Sequence, residues 1–205
     1  RIAIARALAV QPDLVICDFR VVRERYRLSH HLRGEAHRTT FHGPSYCVSR
    51  DRSRLMDGLM QHGQMHTWSK IGRTSLWRQA RFPSGRRLMQ DAPVVPALVA
   101  GAASYYYVPR PWVGYRQRSD SALATADASK LHDMLDSIRD FSLAARAVRG
   151  LDGPARASIE RCCLRMLAAA ARRMRATSSC ARPCEVVTPM WRARPASCQA
   201  RRVFR

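Results

Sequence analysis

A run of apolar and small residues from Ala92 to Ala103, directly after Asp91, constrains the fold of this chain more than any other feature. The run carries no charge and is too long for an ordinary strand, so it predicts a buried helix. Asp91 suits the N-cap of that helix, and Pro93 is tolerated in the first turn because its missing N–H has no helical partner there. Pro96 lies at the edge of that turn, so we expect a kink or a delayed start. The sequence thus predicts a carboxylate at the mouth of a buried helix.

Five short motifs occur in a fixed order on either side of this helix. They are Trp68-Ser69-Lys70-Ile71, Phe82-Pro83-Ser84-Gly85, Gln90-Asp91, Tyr105-Tyr106-Tyr107-Val108, and Tyr115-Arg116-Gln117-Arg118 with Ser121. None is specific alone, but their order and spacing together resemble the C-terminal, acceptor half of the catalytic domain of family 2 glycosyltransferases. The resemblance covers about residues 53–145.

The resemblance implies an α/β fold of the GT-A type and inverting transfer of a sugar from a nucleotide-sugar to the hydroxyl of a saccharide or lipid-linked acceptor. It assigns the role of general base to Asp91, since a carboxylate can take the proton of the attacking hydroxyl. The alternative is that Asp91 only caps the helix. The substrate-binding residues implied by the resemblance are Trp68, Lys70, Gln90, Tyr115, Arg116 and Arg118; the two arginines can each hold phosphate oxygens bidentately or be simply solvated.

Two departures from the family pattern limit what this chain is expected to do. The first member of the acidic pair is Gln90, whose amide carries no charge. The family places an aspartate-x-aspartate metal motif in the preceding half, and no such motif occurs here. The complete family domain is expected to use Mg²⁺ or Mn²⁺, but no metal ligand is assignable in this chain. We therefore expect a partial GT-A-like domain that transfers no sugar alone.

Residues 1–18 resemble a different family. A helix from Ile2 to Val10, Gln11-Pro12-Asp13 and an apolar strand ending in Asp18 are similar to the stretch after the signature motif of ATP-binding cassette ATPases. That family has a catalytic glutamate where this chain has Phe19, and no phosphate-binding G-x-x-x-x-G-K-[ST] loop is present. We therefore predict no ATP hydrolysis, and we hypothesise that the two pieces come from different genes. An ATPase fragment remains the alternative to the glycosyltransferase interpretation.

The remaining segments predict one packing domain with flexible surroundings. Residues 19–52 show no usable periodicity and predict an irregular linker. The domain spans 53–176, with helices over 53–63, 127–148 and 154–176 and strands over 104–108 and 112–118. On the first strand Tyr105 and Tyr107 share a face, which favours core packing over a base-stacking platform. Residues 177–205 form an Arg-, Pro- and Cys-rich tail that we expect to be disordered.

The net charge of +21 is the excess of 36 Lys and Arg over 15 Asp and Glu. Only Lys70 and Lys130 of the basic residues are lysines. An excess of this kind is typical of nucleic-acid or membrane binding, but also of a very GC-rich genome. We do not expect nucleic-acid binding, because no helix-turn-helix, zinc-finger or RNA-binding signature accompanies the charge. A basic protein without catalysis stays a third alternative. The basic amphipathic helix over 154–176 either packs on the domain or lies on an anionic membrane, a location that would suit an enzyme acting on lipid-linked or envelope sugars.

Seven cysteines without framework spacing favour a reduced, cytoplasmic setting. The helix over 154–176 leaves open a peripheral position on the inner face of the membrane. Cys180, Cys184 and Cys198 give three thiols without a fourth ligand, which is a weak pattern for zinc. No run of 18 apolar residues predicts a membrane span. The chain begins with Arg1, which favours an incomplete reading frame or a processed fragment.

Overall fold

The computed structural model describes residues 2–118, 125 and 127–180 of the chain. This part is a mixed α/β structure with seven helices and a four-stranded sheet. The helices are α1 (Ile2–Ala9), α2 (Leu28–Leu32), α3 (Arg52–His62), α4 (Thr74–Gln79), α5 (Val94–Gly101), α6 (Ala128–Ala147) and α7 (Gly153–Cys180). The strands are β1 (Leu14–Val22), β2 (Val48–Ser49), β3 (Lys70–Gly72) and β4 (Tyr105–Arg116). The α/β class predicted from the sequence is therefore confirmed.

Two long parallel strands form the middle of the sheet, whose order is β2-β4-β1-β3. The β1–β4 register begins with Leu14 opposite Tyr105 and ends with Val22 opposite Arg116. The two short strands pair antiparallel, β3 with β1 and β2 with β4. Because β1 is hydrogen-bonded on both sides, it ties the N-terminal segment to the rest of the chain.

The continuity of β1 corrects the prediction of an irregular linker from residue 19 onwards. Phe19 and Val21 lie in the strand and are buried, and Phe41 further along is also buried. The predicted packing domain over 53–176 is incomplete for the same reason, because the core also includes Leu14 and Ile16. The hypothesis of two gene sources remains a prediction.

The two predicted strands over 104–108 and 112–118 are one strand, β4, which continues through Pro109 and Pro111. The register with β1 shifts between Cys17 and Asp18 and again between Asp18 and Phe19. The bulge accommodates extra residues on β4. Proline has no backbone N–H, and a bulge interrupts the regular hydrogen-bond ladder, so proline is tolerated there.

Opposite faces of the sheet are covered by different helices. Tyr105 and Tyr107 belong to the large core formed with α3, α5, α6 and α7, which confirms their core packing. Tyr106 and Val108 point the other way and pack with Ala7 of α1. The predicted alternation of side chains along this strand therefore decides which helices each tyrosine contacts.

The predicted helices over 53–63 and 127–148 are found nearly as expected. The side chains of Asp51 and Asp127 cap α3 and α6 by accepting from the backbone N–H groups of Arg54 and Lys130. Gly63 ends α3 in the left-handed conformation, at φ 63°. The helix predicted over 154–176 runs from Gly153 to Cys180, so the first residues of the predicted tail are helical, and residues 181–205 lie outside the described part.

Candidate functional site

A cavity of about 730 Å³ opens where the ends of β1 and β4 meet the turn before α5 and the inner side of α7. Phe19 and Tyr115 reach it from the two central strands, Trp68 from the segment before β3, and Asp91 from the turn. Arg165 reaches it from α7. The cavity thus combines an aromatic wall, the carboxylate of Asp91 and a basic wall.

The aromatic wall is a stack of three rings with a fourth ring at its edge. The ring of Trp68 is nearly parallel to that of Tyr115, with an interplanar angle of 3° and 5.4 Å between ring centroids. It is also nearly parallel to the ring of His66, with an angle of 12° and 3.8 Å between centroids. Phe19 meets Trp68 edge to face at 5.0 Å. Trp68 remains 37% exposed, so the stack leaves apolar ring surface open to a ligand.

Asp91 does not cap α5, which corrects the prediction from the sequence. The helix begins at Val94 with Pro93 as its N-cap, and no side chain caps it. The start is delayed by two residues because Pro96 then falls within the first turn, where no N–H is needed. The Oδ2 of Asp91 instead accepts from the backbone N–H of Thr67 at 3.1 Å. The carboxylate is therefore fixed against the segment that carries Trp68.

Met89, two residues before Asp91, has a positive φ of 58°. The left-handed region is uncommon for a residue with a long side chain, and such residues concentrate at functional sites. Met89 also lines the cavity and packs against the main core. The turn that presents Gln90 and Asp91 is thus held in a costly conformation by the packing around it.

Lys70 lies beneath the site and does not line the cavity. Its Nζ donates to the backbone carbonyls of His66 at 2.7 Å and Gln64 at 3.2 Å. Burial lowers the pKa of Lys70 to about 8, while the negative charge of Asp91 acts in the opposite direction. This placement makes Lys70 a support for the turn that holds His66, in contrast to the predicted contact with substrate.

His66 is kept neutral by its surroundings. Burial, followed by the positive charge of Lys70, lowers the pKa of His66 to about 3. Its Nδ1 lies 2.9 Å from the hydroxyl of Ser69 and its Nε2 lies 3.1 Å from the side-chain oxygen of Gln64. A neutral ring fixed on both nitrogens is suited to stacking against Trp68.

Four of the predicted site residues meet at this cavity: Trp68, Gln90, Asp91 and Tyr115. The two predicted phosphate-binding arginines are not among the lining residues. Arg116 lies 3.7 Å from Glu24 in an exposed ion pair, and Arg118 is exposed just after β4. Alternation along the chain places Tyr115 and Gln117 towards the cavity and the arginines away from it.

The basic wall was not predicted from the sequence. Arg38, Arg165 and Arg173 line the cavity, as does Glu35, which accepts two hydrogen bonds from the guanidinium of Arg23. Arg165 also donates to the backbone carbonyl of Met60. Nothing in the local sequence of these segments indicates that they meet, because the meeting depends on how α7 packs against α3 and α6.

Asp18, the last residue of the segment that resembles an ATPase, is fully buried inside the sheet. Its carboxylate accepts from the N–H of Thr40 at 2.9 Å and from the hydroxyl of Tyr107 at 2.9 Å, and it lies 2.7 Å from the Nε2 of His37. These partners occupy both oxygens. Asp18 therefore has a structural role here, in contrast to the magnesium-holding role that the resemblance implies.

The residues around Asp91 do not fit a divalent metal. Mg²⁺ and Mn²⁺ prefer several carboxylate or carbonyl oxygens, whereas the neighbour of Asp91 is the neutral amide of Gln90. Within residues 2–118, 125 and 127–180, no three His, Cys, Asp or Glu side chains come together as a metal site. Among the same residues, no helix is both long and apolar enough to cross a bilayer.

No family model, curated protein or solved structure matches this chain.

Proposed function

We propose that the cavity is the acceptor site of an inverting, family 2-like glycosyltransferase domain of GT-A type, with Asp91 as its general base. One observation carries the proposal: the carboxylate of Asp91 and the open Trp68–Tyr115 stack line the same cavity. A sugar ring presents C–H groups that pack on an aromatic face, and hydroxyls that a carboxylate can accept from. The site therefore offers both kinds of contact that a saccharide needs.

In the proposed reaction, Asp91 takes the proton of an acceptor hydroxyl. The hydroxyl oxygen forms a bond to the anomeric carbon of the donor. The bond from that carbon to the diphosphate oxygen breaks, and the nucleoside diphosphate leaves with the electron pair. Attack from the face opposite the leaving group inverts the anomeric centre. The hydrogen bond from Thr67 orients the carboxylate for this step.

This chain alone is proposed to bind an acceptor without transferring sugar. It contains no aspartate-x-aspartate motif of the kind that the resemblance places in the donor half. The partner molecules proposed for the complete domain are a nucleotide-sugar and a saccharide or lipid-linked acceptor. Turnover of a nucleotide-sugar by the purified chain would contradict the proposal that it is incomplete.

Saccharide binding tests the acceptor site directly. Titration of the protein with methyl glycosides of the common hexoses, followed by tryptophan fluorescence and by NMR, is expected to show binding by the natural chain. Trp68→Ala should weaken it by about tenfold or more, because the stacking face is lost. Asp91→Asn should change the affinity by less than about threefold, because asparagine keeps the shape of the side chain and one acceptor oxygen but cannot act as a general base.

The matched control is Phe82→Ala, which removes an exposed aromatic residue that does not line the cavity. It should bind saccharides like the natural chain. Equal effects of Trp68→Ala and Phe82→Ala, or no saccharide binding at all, would overturn the proposed function.

A further inference from the structure

Helix α7 has two apolar stripes, of which the described structure covers one. The inner stripe contains Ile159, Cys162, Met166 and Ala170, all buried in the main core. This packing is the first of the two alternatives that the sequence left open for the helix. Ile159 and Cys162 are 2% and 0% exposed, so the inner stripe has no surface to offer to a partner.

The outer stripe lies beside the inner one, about 100° further around α7, where the helix is exposed. Leu164 is 66% exposed and Leu167 is 44% exposed, and Ala171 and Met174 follow them at helical spacing. Leu143 of α6 is 62% exposed and lines the same shallow groove of about 710 Å³ as Leu164 and Leu167. Leucines so exposed and so close together form a continuous apolar patch, unlike single surface leucines.

The charges beside this stripe are strongly biased towards arginine. Arg161, Arg172 and Arg175 are exposed on α7 next to the leucines. Glu160 is the one acidic residue between positions 153 and 180, and it lines the groove with Arg139 and Arg146. On α6, Asp136 lines the groove but is paired with Arg139 at 3.2 Å. A partner that covers the stripe must therefore offer an apolar region for the leucines and negative charge for the arginines beside them.

We propose that the outer face of α7, formed by Leu164, Leu167, Ala171, Met174 and the arginines beside them, docks on an anionic lipid bilayer. Leucine side chains would enter the boundary between headgroups and acyl chains, and the arginines would lie among the lipid phosphates. Duplex or single-stranded nucleic acid satisfies the arginines but gives leucines no apolar phase. The proposal is independent of the saccharide site, which uses the inner side of the helix.

Vesicle binding by the full chain tests the proposal. Co-sedimentation with vesicles of equimolar phosphatidylglycerol and phosphatidylcholine is compared with pure phosphatidylcholine, and binding to the anionic vesicles is expected to be much stronger. The double variant Leu164→Ser/Leu167→Ser should lower partitioning by about tenfold or more, because two apolar anchors are removed. Its helical content by circular dichroism should be unchanged, since both side chains are exposed.

The control is Leu28→Ser/Leu32→Ser, which removes two leucines of α2 that are 76% and 82% exposed. It carries the same change in composition and should bind vesicles like the natural chain. Equal binding by both double variants would show that charge alone holds the protein on lipid, and would overturn the proposal. Failure of the natural chain to bind vesicles would also overturn the proposal, as would tighter binding to DNA than to vesicles. So would self-association of the natural chain that Leu164→Ser/Leu167→Ser abolishes, because the stripe would then bind a second copy of the protein.

Discussion

The carboxylate of Asp91 is held by the backbone N–H of Thr67, at 3.1 Å, in the residue immediately before Trp68. The proposed base and the proposed stacking surface are therefore coupled by one hydrogen bond between segments 24 positions apart. A change in either segment is expected to move the other.

Removing that hydrogen bond should lower stability. Asp91→Ala leaves the Thr67 N–H without its acceptor, which is expected to cost about 1 kcal/mol of unfolding free energy, measured by urea denaturation. Asp91→Asn keeps an oxygen that can accept and should cost less. An equal loss in both variants would show that the hydrogen bond does not contribute as inferred.

The buried network around Asp18 is expected to be more sensitive. Asp18→Ala leaves the N–H of Thr40 and the hydroxyl of Tyr107 without their acceptor inside the sheet, so the unfolding free energy should fall by about 3 kcal/mol or more. The control is Asp136→Ala on the surface of α6, for which a loss of about 0.5 kcal/mol or less is expected. Comparable losses at the two positions would contradict the structural role of Asp18.

The lowered pKa of His66 predicts a loss of stability in acid. The pKa of His66 is about 3 in the folded protein, compared with about 6.5 for an unperturbed histidine. Between about pH 3 and about pH 6.5, the unfolded chain therefore binds the proton and the folded protein does not. Stability due to the neutral ring is therefore complete above about pH 6.5 and is lost as the pH falls towards 3, with a slope of at most about 1.4 kcal/mol per pH unit.

Urea denaturation between about pH 7 and about pH 4 measures this slope in the natural chain and in His66→Phe, which cannot titrate. The slope should be reduced in His66→Phe, and it should be retained in His132→Phe, whose ring is exposed on α6. If His66→Phe keeps the full slope, another group is responsible for the acid sensitivity.

Gly58 of α3 is predicted to tolerate no side chain. A Cβ there would lie 2.4 Å from the backbone carbonyl of His42 and 2.4 Å from the ring of Phe41. Alanine is the better helix former by about 1 kcal/mol, yet the clash with backbone should make Gly58→Ala destabilising by about 2 kcal/mol. Gly153→Ala, which meets nothing within 4 Å at the start of α7, should be neutral or slightly stabilising in the same thermal-unfolding assay.

Local signals in the sequence were sufficient for the helices and for the side-chain alternation on β4. Asp127 and Gly63 are capping residues whose effect is local, so the ends of α6 and α3 could be placed within one or two residues. Tyr105 and Tyr107 share a face on any strand. Trp68 and Asp91, which both line the cavity, were predicted together because their motifs are short and ordered along the chain.

Features that depend on distant pairing could not be predicted in the same way. The bulge that lets β4 pass Pro109 is defined by its register with β1, far earlier in the chain, and no local pattern indicates it. The basic wall depends on how Arg165 of α7 comes to face the cavity. Cys17, Phe19 and Val21 are apolar and alternate with Asp18 and Arg20, which was a usable signal for continuing β1.

The unbroken course of β1 across Asp18 and Phe19 makes the two differently patterned pieces of the chain mutually dependent. A protein divided at that peptide bond would have the first half of β1 in one piece and the second half in the other, so the sheet would lose part of a central strand. We therefore expect neither piece to fold separately, and we expect mixing of the two to restore structure by complementation. The continuous strand makes the segments on either side of this peptide bond parts of one sheet, and we expect them to unfold cooperatively.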